Sequence, residues 1–128
     1  MVTEITKGVK VSVKTSYQPA YSSPEQNHYV FTYKIIIENQ SENTIQLLKR
    51  SWDIFDSNGL YREVKGDGVI GLQPTLEPGE KHDYVSGCQL QTSIGKMEGF
   101  YTFKRLIDGK TFDVTIPSFN LIVPYLYN

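Results

Sequence analysis

The chain has 128 residues, of which 39% are hydrophobic, and this length suits one domain with a single core. Its 13 basic and 14 acidic residues give a formal net charge of -1, so charge gives no reason to expect nucleic acid or an anionic membrane as a partner. Cys88 is the only cysteine, no apolar run reaches the roughly 20 residues of a membrane span, and residues 1–8 lack a signal-peptide core, so we expect a soluble cytoplasmic protein.

Short alternating segments separated by turns fill the chain. Val9, Val11 and Val13 alternate with polar residues and predict a first strand, which a polar loop over 15–24 follows. Further strands are predicted over 28–38, 45–55, 60–65, 81–87, 97–106 and 111–116, with Phe119 and Leu121 extending the edge. Glycine-containing turns at 56–59, 76–80 and 108–109 separate several of them. These seven or eight antiparallel strands predict one all-β sandwich, Greek-key in style, over residues 1–128.

Gly66, Gly68 and Gly71 form the pattern GxGxxG, which is typical of a dinucleotide-binding loop. That function requires a buried strand before the loop and a helix that begins within it. The preceding segment 60–65 is instead polar, and Pro74 and Pro78 prevent a helix from continuing. No acidic residue occurs at 86–91 to bind a ribose hydroxyl. The flanking sequence therefore excludes a Rossmann fold.

Seven short segments occur in an order that indicates a family. They are HYVFTYKI at 28–35, RSWDI at 50–54, GDGVIGLQP at 66–74, LEPGE at 76–80, YVSGC at 84–88, GKMEGFY at 95–101 and FDVTIPSF at 112–119. Together they span nearly the whole chain, roughly positions 7–123, and seven motifs in order are far more specific than one. The sequence resembles the ApaG family.

This resemblance implies an immunoglobulin-like or fibronectin type III-like β-sandwich without catalytic activity or cofactor. The same domain occurs in some F-box and polymerase-interacting proteins, where it serves protein interaction. Bacterial members are linked to cobalt resistance and magnesium efflux, and their genes neighbour a dinucleoside tetraphosphatase. We therefore expect a non-enzymatic binding module with a protein partner.

The glycine segment also permits a second hypothesis, in which the protein senses an anionic, phosphate-bearing ligand such as a nucleotide. Closely spaced glycines at 66, 68 and 71 allow successive backbone N–H groups to converge on an anion, and Lys65 and Arg62 could add charge. The structural alternative is that these glycines permit positive φ or a bulge where the chain crosses between sheets. Asp67 would repel a phosphate, so we favour the structural alternative.

Metal binding and catalysis are not predicted. The best candidate ligands are Glu80, His82 and Asp83, with His28 near Glu25. Glu80 and His82 could share one face of a strand while Asp83 points away, but two ligands do not complete a site. Cys88 has no sequence neighbour suited to activate it and is predicted to be a buried, inert thiol.

Exposed tyrosines are predicted to form the interaction surface. Tyr17, Tyr21, Tyr61, Tyr125 and Tyr127 fall in loops, at a strand edge or in the C-terminal segment, outside the main apolar pattern. Tyrosine suits such surfaces because it combines apolar area with a polar hydroxyl. An open sheet edge would also permit a homodimer.

Overall fold

Nine β-strands make up most of the protein. The computed structural model describes residues 1–127, without the side chains of Leu126 and Tyr127. The strands are β1 Val2–Thr6, β2 Val9–Tyr17, β3 Tyr29–Asn39, β4 Ile45–Asp56, β5 Tyr61–Asp67, β6 Thr75–Leu76, β7 Lys81–Leu90, β8 Ile94–Arg105 and β9 Thr111–Ile122. Short 3-10 helices span Pro19–Tyr21, Pro24–Gln26 and Pro124–Tyr127. Within the described chain, no helix is both long and apolar enough to cross a bilayer.

The strands form two antiparallel sheets with one core between them. The first sheet has the order β1-β2-β3-β7, and the second has the order β5-β4-β8-β9, with the short β6 also paired to β4. Alternate residues of each central strand point inward, as a period-two apolar pattern requires. Among the largest fully buried side chains are Phe31, Ile35, Leu47, Tyr101, Phe103 and Leu121. The predicted all-β antiparallel sandwich is confirmed.

The individual strands differ from the prediction in number and length. The strands β1 and β6 were not predicted, and β2 continues to Tyr17 through what was predicted to be the start of a loop. Phe119 and Leu121 extend the edge strand β9 as predicted, and both side chains are buried. This strand continues past Pro117, where the register between β8 and β9 shifts by a bulge that accommodates a residue without an N–H group.

The glycine segment does not carry the chain from one sheet to the other, contrary to the structural alternative given above. It joins β5 to β6, and both strands pair with β4 in the second sheet. The chain crosses to the first sheet only after β6, through the turn at 77–80, where Gly79 has a φ of +87°. The segment therefore stays at the end of the second sheet.

One lateral side of the sandwich is closed and the other is open. On the closed side, β1 and β9 approach each other, and the N–H of Thr115 donates to the hydroxyl of Thr6 at 3.2 Å. On the opposite side, β5 is the edge of the second sheet and β7 is the edge of the first, and no ladder joins them. The space between the sheets is therefore accessible between β5 and β7.

Candidate functional site

The glycine segment forms a tight hairpin turn after β5. Gly68 and Gly71 have φ values of +60° and +73°, which confirms that glycine is used here for its conformational freedom. Ile70 has a φ of +47°, so both central residues of the turn lie in the left-handed region. This is the φ pattern of a type I′ turn, and Val69 and Leu72 close it with reciprocal backbone hydrogen bonds of 2.8 and 3.0 Å.

Two of the backbone N–H groups expected to bind an anion are bonded within the protein. The N–H of Gly68 donates to the carbonyl of Leu48 at 2.8 Å, and the N–H of Val69 donates to the carbonyl of Leu72 at 2.8 Å. An anion nest requires successive N–H groups that point together at a vacant position. The geometry therefore does not support a nest that uses Gly68 and Val69.

Arg50, which the sequence analysis did not single out, packs against the glycine segment. Its Nη1 donates to the carbonyl oxygens of Asp67 and Gly68 at 2.9 and 3.0 Å. Gly66 lies opposite Arg50 in the β4–β5 ladder, and a Cβ atom at Gly66 would be only 2.8 Å from the nearest guanidinium atoms. The absence of a side chain at Gly66 thus leaves room for this guanidinium.

Arg62 and Lys65, the two cations predicted to assist the loop, lie on opposite faces of β5. Lys65 is on the outer face, with its Nζ 3.2 Å from the carboxylate of Glu63, and both groups are exposed. Arg62 is on the inner face, where its Nη2 donates to the carbonyl of Gln89 on β7 at 2.6 Å. The same Nη2 lies 3.6 Å from the Sγ of Cys88. Lys65 therefore does not share a site with Arg62.

The open side between β5 and β7 leads into a cavity of about 540 Å³, which we call the inter-sheet cleft. It is lined by Val30, Tyr33, Arg50, Trp52, Ile54, Arg62, Val64, Ser86, Gly87, Cys88, Gln89 and Met97. A cavity of about 180 Å³ shares Tyr33, Arg50, Trp52 and Ser86 with it and extends to Val69, Ile70 and Tyr84. Within the described part of the chain, both linings contain arginine and neither contains a carboxylate, so their formal charge is positive.

Burial keeps the other titratable groups of the two linings neutral. It raises the pKa of Tyr33 and of Tyr84, whose hydroxyl is hydrogen-bonded to that of Tyr101. Burial also raises the pKa of the Cys88 thiol, and the nearby Arg62 opposes this shift only in part. A buried thiol with a raised pKa is a poor nucleophile at neutral pH. The predicted burial of Cys88 is confirmed, with 5% of the residue exposed.

The tyrosines predicted to form an interaction surface have different environments. Tyr21, Tyr61 and Tyr125 are exposed, by 73%, 54% and 51%. Tyr17 is instead packed at the end of β2, where its ring centroid is 5.2 Å from that of a buried phenylalanine of β3. Tyr17 is therefore half-buried, because β2 continues far enough to place its ring against the core. The side chain of Tyr127 lies outside the described part of the chain.

Several candidate metal ligands are engaged in local interactions. The carboxylate of Glu80 accepts the N–H of Glu77 at 2.7 Å, and Asp83 lies 3.8 Å from the Nζ of Lys34. Across residues 1–127, no group of three His, Cys, Asp or Glu side chains could hold a metal ion.

Comparison with known proteins shows relatives along almost the whole chain. The family model of the ApaG domain matches residues 19–105. Protein ApaG from Brucella abortus (strain S19) is 46% identical over 124 residues, which covers 97% of this chain and 95% of the relative. Protein ApaG from Brucella anthropi is 47% identical with the same coverage.

Solved structures with the same fold also cover most of the chain. A crystal structure described as that of a putative ApaA protein from Bordetella pertussis matches with a TM-score of 0.88 at 42% identity, covering 91% of this chain and 94% of that one. An X-ray structure of a structural-genomics target matches with a TM-score of 0.87 at 36% identity, covering 96% and 92%. These matches agree with the two-sheet architecture.

Proposed function

The chain belongs to the ApaG family, and we propose that it is a non-enzymatic binding module whose partner is another protein. The observation that supports this proposal best is the open edge of β5, which bounds the second sheet beside the inter-sheet cleft. An unpaired strand edge can accept an extended segment of a partner as an additional strand.

The backbone groups available on this edge follow from the register of the β4–β5 ladder. Gly68 donates its N–H to Leu48, its register partner, so the even-numbered residues of β5 bond to β4. The odd-numbered residues Tyr61, Glu63 and Lys65 then direct their N–H and C=O groups away from β4. They offer a ladder about three residue pairs long to a partner strand.

Apolar side chains accompany these free groups. Leu60, Tyr61 and Val64 are exposed by 51%, 54% and 38%, and they lie on β5 or immediately before it. Exposed apolar area beside an unpaired strand is typical of a surface that a partner covers. The edge therefore combines backbone groups for affinity with side chains for specificity.

Proline substitution at Glu63 tests this proposal. Glu63→Pro removes one edge N–H without removing a bond to β4, whereas Glu63→Ala removes the same side chain and keeps the N–H. We expect proteins captured through β5, identified by photo-crosslinking from position 61, to be lost in Glu63→Pro and retained in Glu63→Ala. Equal capture by both folded variants, or substrate turnover by the wild-type protein, would contradict the proposal. Sedimentation of the purified protein shows whether the captured partner is a second copy of the chain.

A second candidate function is the sensing of a phosphate-bearing ligand, such as a nucleotide, at the Gly66–Gly71 loop. Arg50 favours it, because this cation lies directly against the loop. Thermal unfolding with a panel of nucleotides and divalent metals tests it, with Gly71→Asp as the control. A Cβ atom at Gly71 meets nothing within 4 Å, so this variant adds negative charge without a clash. A saturating rise in Tm that disappears in Gly71→Asp supports the sensor, and no rise with any nucleotide refutes it.

The link to cobalt resistance and magnesium efflux is, on this proposal, indirect and acts through the partner. An indirect role is supported by the carboxylates of Glu80 and Asp83, because both are engaged in local contacts rather than grouped around a metal position. We also propose that the protein acts in the cytoplasm, which suits its single buried thiol. The same thermal-unfolding panel should then show no saturating shift with Co²⁺ or Mg²⁺.

A further inference from the structure

Among the described residues that line it, the inter-sheet cleft has two guanidinium groups and no carboxylate. Arg50 enters it from β4 and Arg62 enters it from β5. Within residues 1–127, none of the ion pairs involves either arginine. Asp56, which lines a neighbouring pocket together with Arg62, accepts the N–H of Gln91 at 2.7 Å and the hydroxyl of Thr92. The positive charge of the cleft is therefore not compensated from its own lining.

Both arginines retain unused hydrogen-bond donors. A guanidinium has five N–H groups in a fixed planar arrangement. Arg50 uses Nη1 for the carbonyls of Asp67 and Gly68, and Arg62 uses Nη2 for the carbonyl of Gln89. The contacts that hold the two side chains in place thus leave donors on each guanidinium for a ligand. Oxyanions such as phosphate and carboxylate match this geometry.

The remaining polar groups of the cleft can also donate hydrogen bonds. Burial keeps Tyr33 protonated, and Ser86 adds a hydroxyl beside it. Because none of these groups is negatively charged at neutral pH, the negative charge must come from the ligand. This combination of fixed cations and neutral donors selects an anion and disfavours a cation.

The inner end of the cleft is apolar and aromatic. Trp52 is 3% exposed, and its ring centroid lies 5.3 Å from that of Tyr33. The buried side chain of Met97 completes this surface. A volume of about 540 Å³ falls within the range of roughly 300–1,000 Å³ that small-molecule sites occupy. The lining therefore suits a ligand that carries both an anionic group and a planar apolar group.

From these observations we infer that the inter-sheet cleft binds a small organic oxyanion, with its charged group at Arg50 and Arg62 and its planar group against Trp52. This site shares Arg50 with the proposed nucleotide site and Val64 with the β5 edge, but it uses neither the N–H groups of the glycine turn nor the free backbone groups of β5. Glu63→Pro leaves both arginines in place, so the partner proposal and this inference can fail independently.

The test is a titration of the purified protein with phenyl phosphate and with benzoate. Binding is followed by calorimetry and by the fluorescence of Trp52, the only tryptophan. Phenol and inorganic phosphate, which each carry half of the proposed ligand chemistry, serve as controls. We expect saturable binding of at least one aromatic oxyanion, at least tenfold tighter than either control. Preference for phenyl phosphate identifies organic phosphates, and preference for benzoate identifies carboxylates.

Charge-matched variants locate the site. Arg62→Gln should weaken binding about tenfold or more, because it removes a charged donor from the cleft. Lys65→Gln removes one positive charge from the outer face of the same strand and should change affinity less than twofold. Equal weakening by the two variants would indicate general electrostatic attraction and would overturn the inference, as would the absence of saturable binding at millimolar ligand.

A wild-type measurement keeps the inference testable even if Arg62→Gln fails to fold. In amide NMR spectra, the aromatic oxyanion should shift resonances at residues 62–64 and 86–88. Shifts confined to residues 68–72 or to the outer face of β5 would overturn the inference.

Discussion

A glycine in this loop can be required for two reasons, a positive φ or a close approach to other backbone atoms. The sequence motif does not distinguish these reasons, but alanine substitutions of Gly68 and Gly71 do. Gly68 and Gly71 both have positive φ, so alanine at either position incurs the left-handed backbone penalty of about 1 kcal/mol. A Cβ atom at Gly71 meets nothing within 4 Å, whereas a Cβ at Gly68 would lie 2.1 Å from the carbonyl oxygen of Leu72. Gly68→Ala thus adds a clash with backbone to the same conformational cost.

The size of this difference follows from the hydrogen bonds that the clash would disrupt. Relieving it requires Leu72 to move away, which breaks the reciprocal backbone bonds between Val69 and Leu72. At about 1 kcal/mol for each bond, Gly68→Ala should lower the free energy of unfolding by about 3 kcal/mol. Gly71→Ala should lower it by only about 1 kcal/mol.

Urea unfolding monitored by the fluorescence of Trp52 provides the measurement, since this buried side chain reports on the core. The two variants should have wild-type m-values and different midpoints. If Gly68→Ala and Gly71→Ala differ by less than about 0.5 kcal/mol, the close approach of Gly68 to Leu72 does not stabilise the turn, and the reasoning is refuted.

Two further predictions concern the cleft and the hairpin between β8 and β9. Gly66→Ala should weaken binding of the aromatic oxyanion several-fold while changing stability by less than about 1 kcal/mol, because its Cβ displaces the flexible end of Arg50 rather than backbone. Unchanged calorimetric affinity would contradict this. Asp108 should titrate by NMR with a pKa of about 2, because Arg105 and the N–H of Lys110 bond to its carboxylate. The ionised Asp108 carboxylate should stabilise the folded protein above pH about 4, and this contribution should be lost as the pH falls through about 2. Arg105→Gln should raise the pKa of Asp108 towards about 3.9.

The strands could be predicted from the sequence because apolar and polar residues alternate along a strand with one buried face. The segment 28–38 and the hairpin around 108–109 appear almost at their predicted positions. The strand β1 was missed because its exposed residues show no buried face, and only its pairing with β2 defines it. Phe119 and Leu121 continue β9 past Pro117 because a bulge accommodates the proline.

The inter-sheet cleft could not be derived in this way, because it depends on which strands become edges. The inward direction of Arg50 depends on a bulge in β4 between Leu47 and Lys49, which shifts the register against β8. In a regular strand, residues three positions apart point to opposite faces, so Arg50 would face outward because Leu47 faces inward. The extra residue of the bulge reverses this and turns Arg50 inward. The available signal was that Arg50 has the same parity as Trp52, whose bulk indicates an inward position.

The glycine motif acquires a physical explanation once Arg50 is included. Gly66 leaves space for the guanidinium, and Gly68 allows the close turn whose carbonyl accepts a bond from it. Gly71 lets the chain reverse immediately afterwards. The three glycines thus contribute to holding a cation in the cleft, whereas the N–H of Gly68 is committed to the carbonyl of Leu48. A phosphate near this loop would therefore be recognised through Arg50 and Arg62, and its affinity should depend on those side chains more than on any amide of the turn.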